Sequence, residues 1–343
     1  MERFGEGSKK RKRRDSGIKP GRNKQPRLEV VAVEPSLSLL PDNVVLKIMS
    51  FLDVPSMMSL ARINRRFYLL HSDEYIWSDV DLSTVPKLDV QRMKKFIREK
   101  LHPALWRLTL RSNAIECQRR PKMRPIITGA ALDELFKKCP NIQTITLDNV
   151  DLSQLPPECL LWSSSRMERI TFSRCVAPFK WLEKAKPHWP NLKHLYLPYT
   201  TKTSDHDLQY LASLRASVHP PAPTLIHLSL TNCYRIGKAG IQSICDSFPN
   251  LVMLDVSDCS GLTPECLLLI AEHMIKLKEL NISNSVAMDS LESADTLLSK
   301  LRANCTHLQQ LTLSPGQLYF HDDRCSEINM VRLNQLRFKV VFV

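Results

Sequence analysis

Histidines flanked by acids and a large cysteine complement are the residues of this chain best suited to chemistry. Asp205-His206-Asp207 and His321-Asp322-Asp323 set an imidazole beside carboxylates, as general acid-base catalysis requires. Neither cluster has a nucleophile, a phosphate-binding loop or metal-ligand spacing nearby, so both read as polar loop segments and direct catalysis is not expected. The ten cysteines form no C-x-x-C pair, and none has a histidine at a recognisable motif spacing. They read as small buried apolar groups in a reducing compartment, so neither a metal nor any other cofactor is expected. His194 and His227 lack a third ligand and read as paired surface histidines. The run Lys9, Lys10, Arg11, Lys12, Arg13 and Arg14 suits the acidic groove of a nuclear import receptor.

Those residues need a scaffold, and composition bounds it. Of 343 residues, 43% are apolar, enough for a folded core, yet no apolar run reaches the roughly 18 residues that a membrane span needs. The N-terminus carries no apolar segment of the signal-peptide kind, so the chain is expected in the nucleus and cytoplasm. Net charge is +13, which raises the question of nucleic acid. Residues 1–27 hold eleven basic against three acidic residues, a surplus of eight, so the excess belongs mainly to the tail. Residues 1–35 are expected to be a disordered basic tail, and nucleic acid is not the expected partner of the folded part.

The frame L-x-x-L-x-L-x-x-C/N starts at Leu105, Ile142, Met167, Leu192, Leu225, Leu251, Leu277, Leu308 and Leu333. Alternation at its fourth and sixth places predicts a short strand with one buried face. Apolar residues at helical spacing follow, among them Ile241, Ile244 and Phe248, and Leu267, Ile270 and Met274. One such unit cannot bury its own apolar face, so stacking is obligatory. Thr263-Pro264 reads as a helix start, whereas 111–128 and 201–224, the latter with HPPAPT, read as insertions. Over the last two-thirds of its length the chain resembles the cysteine-containing leucine-rich repeats. The predicted fold class is therefore α/β, a small all-α module followed by a solenoid of about nine strand-plus-helix repeats over 105–343.

Residues 37–80 predict that module. Pro41-Asp42 opens a helix carrying Val45, Ile48, Met49 and Leu52, Asp53 to Ser56 break it with Ser56 capping a second, and Asn64 caps a third. Three short helices present apolar residues on more than one face, which implies a partner. Leu40-Pro41, the helix VVLKIMSFL, the run LDVPSMMSLARINRRFYLL and Trp77 with Val80-Asp81-Leu82 resemble the F-box over 36–82. That resemblance implies docking on the adaptor Skp1, and through it on a cullin and a RING protein of a ubiquitin ligase. Matched to the family pattern, Leu40, Pro41, Leu46, Ile48, Phe51, Leu52, Leu60 and Phe67 are the implied Skp1-binding positions. The spacing does not separate core from interface at Phe51 and Phe67.

Residues 83–104 predict an amphipathic linker helix with Val90, Met93, Phe96, Ile97 and Leu101 on one face, joining module and repeats rigidly. In each repeat the third, fifth and seventh places face away from the core, onto a concave sheet. Arg107, Arg169, His194, Tyr196, His227, Asp255 and Glu279 on that face are the expected contacts to a protein substrate, with the rim loops as the alternative surface, and Arg337 and Lys339 of the last frame also fall on that face. The expected function is a non-catalytic substrate receptor of a Skp1-cullin-F-box ligase. A Skp1-binding scaffold without ligase function, or a nuclear protein whose tail binds nucleic acid, are the alternatives.

Overall fold

The computed structural model describes residues 37–112, 114–115, 122–123, 125–160, 163, 165–176, 178–180, 189–216, 225–286, 291–314, 317 and 337–343. The tail with Lys9 to Arg14, HPPAPT, His321-Asp322-Asp323 and Leu333 lie outside them. Residues Pro41–Val343 form one compact unit, and Leu37–Leu39 before it make a 3-10 turn.

The unit begins with α1 (Asp42–Met49), α2 (Val54–Leu60) and α3 (Arg65–Leu70). Pro41, which has no N–H to leave unsatisfied, occupies the N-cap of α1, and Asp42 places a carboxylate in its first turn. Asp53, not Ser56, caps α2: Asp53 is extended and its Oδ1 accepts the Ser56 N–H at 2.9 Å, while Ser56 is already helical and acts as donor. Asn64 caps α3 by accepting the Phe67 N–H at 2.8 Å. Val45, Met49, Met57 and Phe67 of these helices, with Ile76 and Trp77 of the 3-10 turn that follows, are buried. The Trp77 indole donates to the His71 carbonyl at 2.7 Å, so its one polar atom enters the core satisfied.

Immediately after Trp77 the chain forms a strand that sequence periodicity did not separate from the helical module. β1 (Asp79–Asp81) pairs in parallel with β2 (Arg107–Arg111), opposing Asp79 to Arg107 and Asp81 to Thr109. The module thereby supplies the first strand of the repeat sheet. The helix between them, α4 (Val90–Glu99), is shorter than the predicted 83–104. Lys87 turns the chain in the left-handed region (φ 54°), and Asp89 then caps α4 by accepting the Arg92 N–H at 2.9 Å. Met93, Ile97 and Leu101 are fully buried, and the Phe96 ring meets Trp77 edge-on at 5.3 Å.

Ten parallel strands then run in chain order, interrupted by a hairpin of β3 (Ala114–Ile115) and β4 (Lys122–Met123) within the first predicted insertion. They are β1, β2, β5 (Thr144–Asp148), β6 (Arg169–Ser173), β7 (His194–Tyr196), β8 (His227–Ser229), β9 (Met253–Asp255), β10 (Glu279–Asn281), β11 (Gln310–Leu313) and β12 (Lys339–Phe342). From Leu108 to Leu313, every fourth and sixth place is buried, at 4% exposure or less. Each such side chain stabilises the stack by about 1.5–3 kcal/mol of apolar burial, and none could do so in an isolated repeat. Helices α5 (Gly129–Lys138), α6 (Asp205–Ala216), α7 (Lys238–Ser247), α8 (Pro264–His273) and α9 (Leu291–Asn304) form the other layer. α6 takes up 205–216 of the insertion predicted over 201–224, so Asp205-His206-Asp207 is helical and not loop, and Thr263 with Pro264 opens α8 as predicted.

The eighth place of the frame has a backbone signature of its own. Asn149, Arg174, Tyr199, Asn232, Asp258 and Asn284 all lie at φ between 53° and 60°. There the chain leaves the strand, and the N–H of each of the first five donates to a carbonyl of the following repeat, for example Asn232 to Ser257 at 2.8 Å. One place later, the thiols of Cys175 and Cys259 donate to the carbonyls of Leu147 and Leu230 at 3.2 and 3.1 Å. Burial pushes both thiols up to about 12, which keeps them protonated and inert.

The last frame is a correction. Lys339 pairs with Gln310 and Val340 with Leu311, so Lys339 holds the third place, not the seventh. Arg337 precedes the strand and does not hold the fifth place. The register therefore lies four residues later than the frame begun at Leu333, and Phe338 just before the strand is buried, at 7% exposure.

Candidate functional site

Two surfaces gather the residues singled out by sequence. On the helical module, Phe51 at the α1–α2 turn is 77% exposed, with the Lys47 ammonium 5.0 Å from its ring centroid. Leu52 is exposed beside it in sequence, as is Pro41 at the start of α1, while Leu46, Ile48 and Leu60 are half-buried. Leu40 is half-buried. Phe67 is only 3% exposed and belongs to the core, which removes it from the interface. Sequence reading missed Ile63, Tyr68 and Leu69, whose side chains all point to solvent. An apolar residue at helical spacing is the same signal whether it faces in or out, and only the packing of three helices resolves it. The Asp42–Arg66 ion pair (2.5 Å) ties α1 to α3.

On the sheet, the strand register brings Arg169, His194 and His227 into one row and Tyr196 into the next. The His194 and His227 rings meet edge-on at 4.5 Å, and the Tyr196 hydroxyl hydrogen-bonds His227 Nδ1 at 3.2 Å. The Arg169 guanidinium lies 5.9 Å from the Tyr196 ring centroid, near enough for a cation–π contact. Burial, then the charges of Arg169 and His227, pull the His194 imidazole down to about 4. Burial also lowers His227 and raises Tyr196, so all three groups are neutral near pH 7. His194 Nδ1 is buried without a hydrogen-bond partner among the described residues.

The other expected contacts are more dispersed. Arg107 lies two strands earlier and is held by Asp79 through Nε at 2.7 Å and a second, short bond, which raises its pKa. Asp255 is engaged by its own neighbours: Oδ1 accepts from the Ser257 N–H and hydroxyl, and Oδ2 from Thr231 at 3.0 Å. Glu279 is exposed, two strands beyond His227. Asp205 and Asp207 act structurally: Asp205 Oδ1 accepts the Gly237 N–H at 2.6 Å, and Asp207 Oδ2 accepts the Ser204 N–H at 2.8 Å. Among the described residues no group of three or more His, Cys, Asp or Glu side chains could hold a metal ion, and no described helix is long and apolar enough to cross a membrane.

An F-box-like family signature matches residues 37–83, the span of α1 to β1. F-box/LRR-repeat protein 12 of Homo sapiens is 26% identical over 249 residues, 71% of this chain and 71% of that protein. The chain carries an F-box-like segment and is similar to F-box and leucine-rich-repeat proteins. F-box only protein 15 of Bos taurus is 48% identical over 42 residues, 12% of this chain and 9% of its own length. Among solved structures, the leucine-rich repeat-containing protein LegL7 from Legionella pneumophila has a TM-score of 0.44 at 16% identity, covering 69% of this chain and 74% of that one. The F-box thus spans the exposed Phe51 turn, and the repeats carry the Arg169–Tyr196 cluster.

Proposed function

We propose that this chain is a non-catalytic substrate receptor of a Skp1-cullin-F-box ubiquitin ligase. The observation that carries the reading is the exposed apolar set around Phe51 inside the F-box-like span, on a module too small to leave such a surface unpartnered. Skp1 docks on Leu40, Pro41, Leu46, Ile48, Phe51, Leu52 and Leu60, and brings a cullin and a RING protein. The open face of the sheet, centred on Arg169, His194, Tyr196 and His227, holds the protein substrate. Tyrosine, arginine and partly desolvated rings at the middle of a surface are the composition of interface hot spots. The contribution to rate is proximity, since an acceptor lysine held near a charged E2 replaces a bimolecular encounter. Lys9 to Arg14 direct the chain to the nucleus through an import receptor.

Co-purification tests the first step: Skp1 and cullin accompany the intact chain and are lost from Leu40→Ala/Pro41→Ala. A chain that never binds Skp1 sinks the reading. Tyr196→Ala and Asp255→Ala test the face, by comparing the proteins that accumulate on the intact chain and on each variant. Alanines at Lys9 to Arg14 move a fluorescent fusion out of the nucleus.

A further inference from the structure

Between the α1–α2 turn and the first strands of the sheet lies a cleft of about 460 Å³. Thr144, Thr146, Arg169 and Thr171 on its floor and Asp53 and Asp81 on its wall carry its chemistry. The floor has donors without acceptors. Arg107 is paired with Asp79, and Arg111 and Arg174 with Asp148, but Arg169 has neither an ion pair nor a side-chain hydrogen bond among the described residues. Its one neighbour of note is the Tyr196 ring. The hydroxyls of Thr144, Thr146 and Thr171 likewise have no hydrogen-bond partner among the described residues. Register sets Thr144 opposite Arg169 and Thr146 opposite Thr171, so the backbones of each pair are one strand spacing, about 5 Å, apart and the two pairs lie two residues, about 7 Å, apart along the strands.

A planar guanidinium with hydroxyls at its side is complementary to a group with two or more anionic oxygens, a carboxylate or a phosphoryl. The facing wall selects further. The Asp53 and Asp81 carboxylates cap local turns, accepting from the Ser56 and Ser83 N–H groups, and are exposed. They repel an isolated anion and attract a cation beside it.

We propose that this cleft binds an extended substrate segment that presents a carboxylate or phosphoryl side chain to Arg169 and the three threonines, with a flanking lysine or arginine turned to Asp53 and Asp81. The proposal rests on the reading that the open face holds substrate, and it assigns that substrate's recognised segment a chemical class.

Three fluorescein-labelled heptapeptides, Gly-Lys-Gly-X-Gly-Lys-Gly with X glutamate, phosphoserine or alanine, test it by fluorescence anisotropy on the purified full chain. The glutamate and phosphoserine peptides bind at least about tenfold tighter than the alanine peptide, a difference of about 1.4 kcal/mol. Tighter binding of the phosphoserine peptide identifies a phosphoryl source, and equal binding a carboxylate. Arg169→Ala removes the preference, Arg169→Lys keeps part of it, and both leave the melting temperature unchanged because Arg169 is exposed. Equal binding of all three peptides, no binding at about 1 mM, or an acidic-peptide affinity unchanged by Arg169→Ala overturns the proposal. Glu279, exposed on the same face and outside the cleft, separates the two readings. Loss of substrate capture in Glu279→Ala, with no effect of Arg169→Ala on the peptides, leaves the face as a binding surface and removes the anion site.

Discussion

Asn232 is the cleanest place to measure what the left-handed turn after each strand contributes. Its φ is 59°, and its side chain makes no hydrogen bond among the described residues, so its own contribution is conformational. An alanine forced into that region costs roughly 1–2 kcal/mol, whereas glycine occupies it freely and asparagine tolerates it. The expected order of stability is therefore Asn232→Gly close to the parent and Asn232→Ala lower by about 1 kcal/mol, since glycine returns part of its advantage as unfolded-state entropy. Ala239, exposed within α7, supplies the opposite order: Ala239→Gly lowers stability by about 1 kcal/mol. Urea unfolding followed by circular dichroism reads the four proteins, with parent-like slopes expected because the buried surface is unchanged. An alanine at 232 as stable as glycine would refute the reasoning, because backbone strain predicts the reverse.

Phe51→Asp leaves the melting temperature unchanged and weakens Skp1 binding at least about tenfold, while Phe67→Ala lowers stability by about 3–5 kcal/mol; calorimetry with a Skp1 titration separates the two. Gly261→Ala is destabilising, because a Cβ there would lie 2.6 Å from the carbonyl oxygens of Ile236 and Tyr234; a thermal melt at or above the parent's excludes that clash. The His194 pKa is depressed in the folded chain to about 4, so its contribution to stability is complete above the unfolded value near 6.5 and is lost as pH falls from there towards 4. His194→Gln should flatten the stability profile in that window, and an identical profile in parent and variant counts against the assignment.

The repeat stack was legible because one rule, alternation with a single buried face, writes the same residue types at the same places from Leu108 to Leu313. The rule failed at its ends. β1 has one inward residue, Val80, between two aspartates, too short for alternation to register, and β12 follows a stretch in which Leu333 imitated a frame start. Ninth-place cysteines were readable as apolar, but not their thiol donation to the preceding repeat. The site was legible only in part. Register placed Arg169, His194, Tyr196 and His227 on one face, yet the cleft wall of Asp53 and Asp81 depends on where the helical module is fastened, which no local pattern encodes. Asp255 looked available by residue type and is consumed by Ser257 and Thr231.

The parallel pairing of Asp79–Asp81 with Arg107–Thr109 has a mechanical consequence. No swivel separates the two halves of the chain, because the seam between them is made of the same backbone rungs as the rest of the ladder. The expected consequence is that amides on both sides of the seam open to hydrogen exchange together, at one free energy.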